Sequence, residues 1–329
     1  MKRIGINGFG RIGRYFLRMA ITREEIEVVA VNDLAPIETL AHLLKYDSVH
    51  RRFPLEFTIE GDSLVFENGR KVSCTQYSDL GEIPWSDLGV DYVLESTGFF
   101  RTKALASKHF NGGADKVILS APPQSADVKT VVLGVNDQIL DSEDKLISNA
   151  SCTTNSAAPM LQVIREMCDI QSAFITTVHS YTSDQRLHDA PHQDLRRARA
   201  AVESIVPTTT GAAKALSKIF PDLEGRIGGC GVRVPVPDGS MTDLTLVVDN
   251  PPTEEEINEA MKKAAEGELK GILSYTEDPI VSTDVLGDPH SCVFDAQLTS
   301  VIGNMVKIVG WYDNEAGYSN RLVDLILKV

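Results

Sequence analysis

"RIGINGFGRIGRYFLRMAITREEIEVVAVND", residues 3–33, is the stretch whose reading decides the fold. Its opening "RIGIN" has the texture of a short buried strand, and "GFGRIG" reads as a glycine turn. Ile12, Phe16, Met19 and Ala20 then recur at helical spacing, and "EVVAVND" reads as a second strand ending on Asp33. The order is strand, Gly8-x-Gly10-x-x-Gly13, helix, strand, acid, with the acid twenty residues after the last glycine. Glycines at that spacing are weak evidence alone, but here every neighbour that a dinucleotide-binding unit needs is present. They permit a tight turn and close approach of backbone to a pyrophosphate, whose charge the helix N-terminus favours. Asp33 suits the adenine ribose hydroxyls and repels a 2′-phosphate.

Further buried strands are read in "DYVLESTG" (91–98), "DKVILSAP" (115–122), "TVVLGVN" (130–136) and "KLISN" (145–149). Helical or irregular segments separate several of them, as a mainly parallel, doubly wound sheet requires. Ligands of such sheets bind beyond the carboxyl ends of the strands, where Ser96, Thr97, Gly98 and Ser120 stand. No repeat, low-complexity tract or long Gly/Ser linker marks a boundary, so any boundary lies inside compact structure. The texture changes after residue 150 to longer alternating strands: "SAFITTVHSYT", "GCGVRVPVPDGSMTDLTLVVD" and "SCVFDAQLTSVIGNMVKIVGWYDN". These indicate a second, α+β domain with a largely antiparallel sheet. The division expected is therefore 1–150 and 151–314.

Cys152 lies in "KLISNASCTTNSAAPM", between a strand and a helical segment, among small polar residues. A packing cysteine would sit among Leu, Val and Ile, which is the reading given to Cys168, Cys230 and Cys292. A helix N-terminus is expected to lower the thiol pKa of Cys152 and make it a nucleophile. In "FITTVHSYT" the set Ile175, Thr177, His179 shares one face, and a thiol nucleophile creates a need for such a base. The tract 182–201 carries Arg186, Arg196, Arg197 and Arg199. Most of these read as a solvated face, and one or two as a phosphate clamp. "VPTTTGAAKA" adds hydroxyls and a glycine before a helix, a ready anion site.

The 329 residues allow about two domains at ~150 residues each. The net charge of −14 argues against nucleic acid or anionic membrane as the main partner. No apolar run approaches the ~20 residues of a membrane span, and no signal-peptide order opens the chain, so a cytoplasmic location is expected. Five cysteines without CxxC or paired spacing indicate neither a disulfide framework nor a metal site.

The stretches "INGFGRIGR", "VND", "HLLKYDSVH", "ESTG", "SNASCTTN", "TTVHSYT", "DLRRARAA", "VPTTTGAAKA", "RVPVPDGSMTDLT" and "WYDNEAGYSNR" resemble, in order and over nearly the whole chain, the signatures of the phosphorylating glyceraldehyde-3-phosphate dehydrogenase family. The resemblance implies that Cys152 is the nucleophile and His179 its base and later acid. It implies that Asn314 orients a nicotinamide carboxamide with Tyr318 near it. Gly8, Gly10, Arg11, Ile12, Gly13, Asp33 and Ser120 would line the dinucleotide. It assigns Thr182 and Arg233 to the substrate phosphate, and Ser151, Thr153, Arg197, Thr210 and Gly211 to inorganic phosphate. It also implies a homotetramer with a role in glycolysis or gluconeogenesis, and a final helix, 315–329, packed back on the nucleotide domain through Leu322, Leu325, Ile326 and Val329. Ser156, Ser78 and Ala190 depart from common members, which more often carry a cysteine, an arginine and a leucine there. Asp33-Leu34-Ala35 favours NAD over NADP, although NADP is possible. Erythrose-4-phosphate dehydrogenase on the same scaffold, or a redox-sensing binding protein that uses the thiol, are the competing readings.

Overall fold

The glycine turn joins the central strand of a nine-stranded sheet to a helix. In the computed structural model, which describes residues 1–329, the strand is Lys2–Asn7 and the helix Arg11–Ala20. Across the sheet the order runs Lys129–Thr130, Leu146–Ser148, Lys116–Leu119, Tyr92–Glu95, Lys2–Asn7, Ile26–Asn32, Lys71–Thr75, Ser63–Phe66, Phe57–Glu60. Neighbours are parallel as far as Lys71–Thr75, and the last two strands join as an antiparallel hairpin. Lys2–Asn7 pairs with Ile26–Asn32 on one side and Tyr92–Glu95 on the other. The chain order reverses across this pair, so the carboxyl ends at Asn7 and Glu95 flank the crevice where such folds take ligands.

This sheet belongs to a unit comprising Met1–Val131, Gln138–Ala150 and Ser319–Val329. Part of its core gathers Val29, Ala30, Trp85, Val93, Val117 and Leu119. Gly5 is required there, because a Cβ would stand 2.6 Å from the Trp85 ring. Each fully buried aliphatic side chain contributes about 1.5–3 kcal/mol. The helix Ala316–Lys328 supplies Leu322, Val323, Leu325 and Ile326 to the interior, while Val329 stays half-buried. Lys2 Nζ donates to the carbonyls of Ile326 (2.7 Å) and Leu327 (3.3 Å), and Tyr92 Oη donates to that of Val329 (3.0 Å). A cation thus satisfies carbonyls that a helix end leaves without partners.

Two expectations about the first 150 residues are corrected. The first helix buries Gly13, Tyr15, Phe16, Leu17 and Ala20, whereas Ile12 and Met19 are only half-buried, so its inward stripe is rotated from the one read in the sequence. The segment 130–136 is not a strand beyond Thr130. There Asn136 Oδ1 accepts from Val132 N (2.7 Å) and Gly134 sits at φ +77°, so side-chain bonding competes with sheet pairing and folds the apolar run into turns.

The other unit comprises Val132–Asp137 and Ser151–Tyr318. Its main path runs Val206–Thr208, Ile227–Val234, Ile170–Ser180, Ser240–Val248, Met305–Tyr312, Cys292–Asp295, Leu273–Thr276. Four of the six pairings are antiparallel, and those of Ile170–Ser180 with Ile227–Val234 and of Leu273–Thr276 with Cys292–Asp295 are parallel. The helix Cys152–Met167 buries nearly every side chain from Thr153 to Ile164. No helix in the chain is long and apolar enough to cross a membrane.

Candidate active site

The glycine turn tests whether a dinucleotide fits. Gly8 has φ +91°, and a Cβ there would lie 2.7 Å from Thr97 N. A Cβ on Gly13 would lie 2.3 Å from the Gly8 carbonyl oxygen. These two glycines are demanded by the chain itself. Gly10 is different: a Cβ there would meet nothing within 4 Å, so bareness at this position keeps a space open above the helix N-terminus rather than serving packing. That is the fit expected of a pyrophosphate cradle. Asp33 Oδ2 accepts from Phe9 N (2.7 Å) and Oδ1 from Ala35 N (3.0 Å), which fixes its carboxylate beside the turn with lone pairs to spare. Arg11 and Ile12 open the helix, and Arg11 Nη1 pairs with Asp47 Oδ2 at 2.7 Å. Ser120 follows the strand Lys116–Leu119 and is held by Ser120 N donating to Glu95 O (3.0 Å).

In the second unit, Ser151 caps the helix Cys152–Met167, its Oγ accepting from Thr154 N at 3.1 Å. Cys152 is therefore the first helical residue. His179 lies near the end of the strand Ile170–Ser180, in register with Arg233 of the parallel strand. Cys152 Sγ and His179 Nε2 are 3.4 Å apart. Arg233 Nη1 stands 2.6 Å from His179 Nδ1 and donates to Ser180 O (2.9 Å), a carbonyl that Nδ1 also approaches at 2.8 Å. Two chemically demanding groups thus share a cation.

Burial and then the adjacent Arg233 push His179 down to about 3, so the imidazole is neutral across the physiological range. The expected lowering of the Cys152 thiol is corrected. Dense packing around the sulfur pushes it up, and Arg233 with the backbone N–H of Thr153 only opposes that push. A helix N-terminus offers partial charge, and the surrounding desolvation outweighs it. The resting pair is therefore a neutral thiol against a neutral imidazole. A proton moves only when a reacting group arrives.

Tyr312 is a residue that sequence reasoning missed. Its hydroxyl hydrogen-bonds with Thr153 Oγ1 (3.0 Å) and Thr177 Oγ1 (2.9 Å), and its ring meets His179 edge-on at 6.0 Å. Alternation along Met305–Tyr312 carries the signal, since Val306, Ile308, Gly310 and Tyr312 all fall on the inward face. Thr153 is thereby tied to Tyr312 rather than left open.

Arg197 makes no hydrogen bond to the trio, but its charge acts on both His179 and Arg233. Its Nε donates to Thr208 Oγ1 (2.9 Å), its Nη1 to Asp184 Oδ2 (2.5 Å), and Thr208 Oγ1 donates to Asp194 Oδ2 (2.9 Å). Thr182 N donates to Gln185 Oε1 (3.3 Å). Thr210 Oγ1 accepts from Ala212 N (3.2 Å) and, with Gly211, precedes the helix Ala212–Ile219. Asn314 Oδ1 accepts from Ser180 Oγ (2.9 Å) and Ser240 Oγ (2.7 Å), and Tyr318 is buried in the final helix. The five cysteines are all free thiols, and burial pushes Cys74 and Cys292 up to about 12.

Residues 2–103 match the model of the glyceraldehyde 3-phosphate dehydrogenase NAD binding domain, and residues 151–314 match that of the glyceraldehyde 3-phosphate dehydrogenase C-terminal domain. The chain is similar to glyceraldehyde-3-phosphate dehydrogenase 1 of Streptomyces avermitilis, with 56% identity over 99% of this chain and 98% of that one. It is likewise similar to glyceraldehyde-3-phosphate dehydrogenase of Mycobacterium avium, at 53% identity, and of Mycolicibacterium smegmatis, at 52%, with the same coverage. With both halves matched and likeness running end to end, the chain belongs to the glyceraldehyde-3-phosphate dehydrogenase family, NAD-dependent oxidoreductases.

Proposed function

We propose that the protein oxidises glyceraldehyde 3-phosphate, with NAD and inorganic phosphate, to 1,3-bisphosphoglycerate, through intermediates carried on Cys152. The observation that carries this reading is the 3.4 Å approach of Cys152 Sγ to His179 Nε2 beside Arg233. With its Nδ1–H on Ser180 O, the neutral imidazole aims an Nε2 lone pair at the thiol and takes its proton as sulfur adds to the aldehyde carbon. The thiohemiacetal oxygen then receives that proton, or its hydrogen bond, from Nε2.

NAD supplies the hydride acceptor. His179 takes the hydroxyl proton as the C–H bond breaks, which leaves an acyl thioester on Cys152. Phosphate oxygen attacks the thioester carbon, the C–S bond breaks, the acyl phosphate departs, and the sulfur leaves as a thiol by taking back the proton held on His179. Arg233 and Thr182 would hold the substrate phosphate, and Ser151, Thr153, Arg197, Thr210 and Gly211 the attacking one. The Arg197–Asp184 pair would then have to open to admit phosphate. Gly8, Gly10, Arg11, Ile12, Gly13, Asp33, Ser120, Asn314 and Tyr318 would hold the dinucleotide, and the carboxylate of Asp33 supports NAD over NADP. The exposed Leu187, Leu195 and Ile205 support burial in a homotetramer, and the free thiols suit the cytoplasm.

The test is nicotinamide reduction from glyceraldehyde 3-phosphate with and without inorganic phosphate, before and after thiol alkylation. Phosphate-dependent, alkylation-sensitive NADH formation is the expected outcome. Turnover indifferent to phosphate would sink the acyl-phosphate route.

A further inference from the structure

We propose that Ser180 and Ser240 are positioning residues that fix which end of the Asn314 amide faces outward, and so select how the nicotinamide carboxamide is seated. The inference rests on the reading of Asn314 given above. The oxygen and nitrogen of an amide side chain are nearly the same size, so packing alone does not choose between the two orientations. Here hydrogen bonding does.

Ser240 Oγ accepts from the backbone N–H of Ser180 at 3.1 Å, and that proton has a fixed direction. The hydroxyl's own proton remains, and the group facing it is Asn314 at 2.7 Å. The near atom of Asn314 is therefore an acceptor, the oxygen. Ser180 Oγ reaches the same oxygen at 2.9 Å, and the two donors together use both of its lone pairs. A flipped amide would set an NH2 against the two hydroxyls and leave the Ser240 proton without an acceptor. Ser180 and Ser240 are 0% and 1% exposed, so water could not take that acceptor's place.

The backbone makes this arrangement rigid. Ser180 ends the strand Ile170–Ser180, Ser240 begins Ser240–Val248, and Ser240 pairs with Tyr312, two residues before Asn314. Three strand ends thus converge on one amide, and the Asn314 NH2, which has no acceptor in the chain, is left as a donor of set direction. A donor there is complementary to a carboxamide oxygen and not to its NH2. It would discriminate between the two faces that a nicotinamide ring could present.

The test compares NAD with ADP-ribose, which shares every part of the dinucleotide except the nicotinamide, by calorimetric titration of the full chain. Asn314→Ala is expected to weaken NAD by about tenfold and leave ADP-ribose within about twofold. Ser240→Ala and Ser180→Ala are each expected to weaken NAD by about fivefold, again sparing ADP-ribose. Asn314→Asp, which keeps an oxygen on the serines but removes the outward donor, should behave as Asn314→Ala. If the serine variants leave the NAD to ADP-ribose ratio at the wild-type value while Asn314→Ala changes it, the serines do not orient the amide and the proposal falls. If they weaken both ligands equally, their role is merely structural and it falls too. If Asn314→Ala leaves the ratio unchanged, the reading of Asn314 itself fails. Should Ser240→Ala not fold, Ser180→Ala, which keeps the Ser240 hydroxyl, decides alone.

Discussion

His109 in the nucleotide unit and His179 in the second unit are buried to a similar degree, 0% and 5% exposed, yet their surroundings are opposite. His109 Nδ1 accepts from Trp85 Nε1 (3.0 Å), so its Nε2 carries the proton donated to Glu95 Oε2 (3.0 Å). Glu95 also accepts from Asn7 Nδ2 (2.6 Å), Thr97 N (2.9 Å) and Thr97 Oγ1 (2.5 Å), and Asn7 Oδ1 accepts from Asn32 Nδ2 (2.8 Å). Every neighbour of this carboxylate is a donor. The network is closed, and it pins Thr97 against the glycine turn. His179 has one acceptor, Ser180 O, for the Nδ1 proton, while its Nε2 faces the Cys152 thiol beside the Arg233 guanidinium, so a second proton is disfavoured by burial and by that charge. A network with both ring nitrogens engaged sets position, and a ring with one lone pair aimed at a thiol is left ready to react.

The largest effect that could break this contrast is on turnover. Cys152→Ser should lower kcat by about 10³-fold or more, since a hydroxyl neither ionises readily nor leaves as well as a thiol. His179→Asn should cost about 10²–10⁴-fold, read in the same steady-state assay. Retained activity in either variant would show that the second cluster is not the reacting one.

Much of this difference is legible in the sequence. The glycine turn and Asp33 could be placed because their spacing is set by short-range geometry, and Cys152 because it stands where a strand gives way to a helix, although the small polar residues after it, Thr153 to Ser156, are themselves buried. His109 could not be distinguished from an ordinary core residue, and its partners Trp85 and Glu95 lie 24 and 14 residues away. The thiol's upward shift is hidden from the sequence for a related reason. The helix end is visible in sequence, but the desolvation that opposes it comes from residues brought in by other strands. Alternation puts Tyr312 on the inward face of its strand, but its partners Thr153 and Thr177, and the two serines on Asn314, depend on register between strands, which alternation along one strand does not reveal.

The next largest effect belongs to the closed network. Glu95→Gln replaces one of two acceptor oxygens by an NH2, which must face either Asn7 Nδ2 and His109 Nε2 or the N–H of Thr97, and should destabilise the protein by about 2–3 kcal/mol in urea unfolding. Unchanged stability would mean that these donors find other partners.

The pH dependence of stability sharpens the comparison further. Below about pH 6.5 the unfolded chain takes up a proton at this imidazole, and the folded chain does not until about pH 3, so stability falls as pH falls through that window. Between pH 7 and pH 5 the wild type should lose about 2 kcal/mol more than His179→Asn. Equal slopes in chemical denaturation would show that His179 is protonated normally.

The smallest effect is at Gly10. Gly10→Ala adds a methyl where nothing lies within 4 Å, so the melting temperature should hold while NAD binding, followed by calorimetry, weakens by about tenfold. Unaltered affinity would mean that the open space is not the pyrophosphate cradle.

The bond from Lys2 Nζ to the Ile326 carbonyl spans 324 residues. On a ribosome moving at about 5–20 residues per second, the two ends of that bond are made roughly 15–65 s apart. The nucleotide unit, first to be translated, is thus the later of the two to be closed. Its helix-docking face stays uncovered throughout synthesis of the second unit, an exposed apolar surface of the kind that invites aggregation until the last helix arrives.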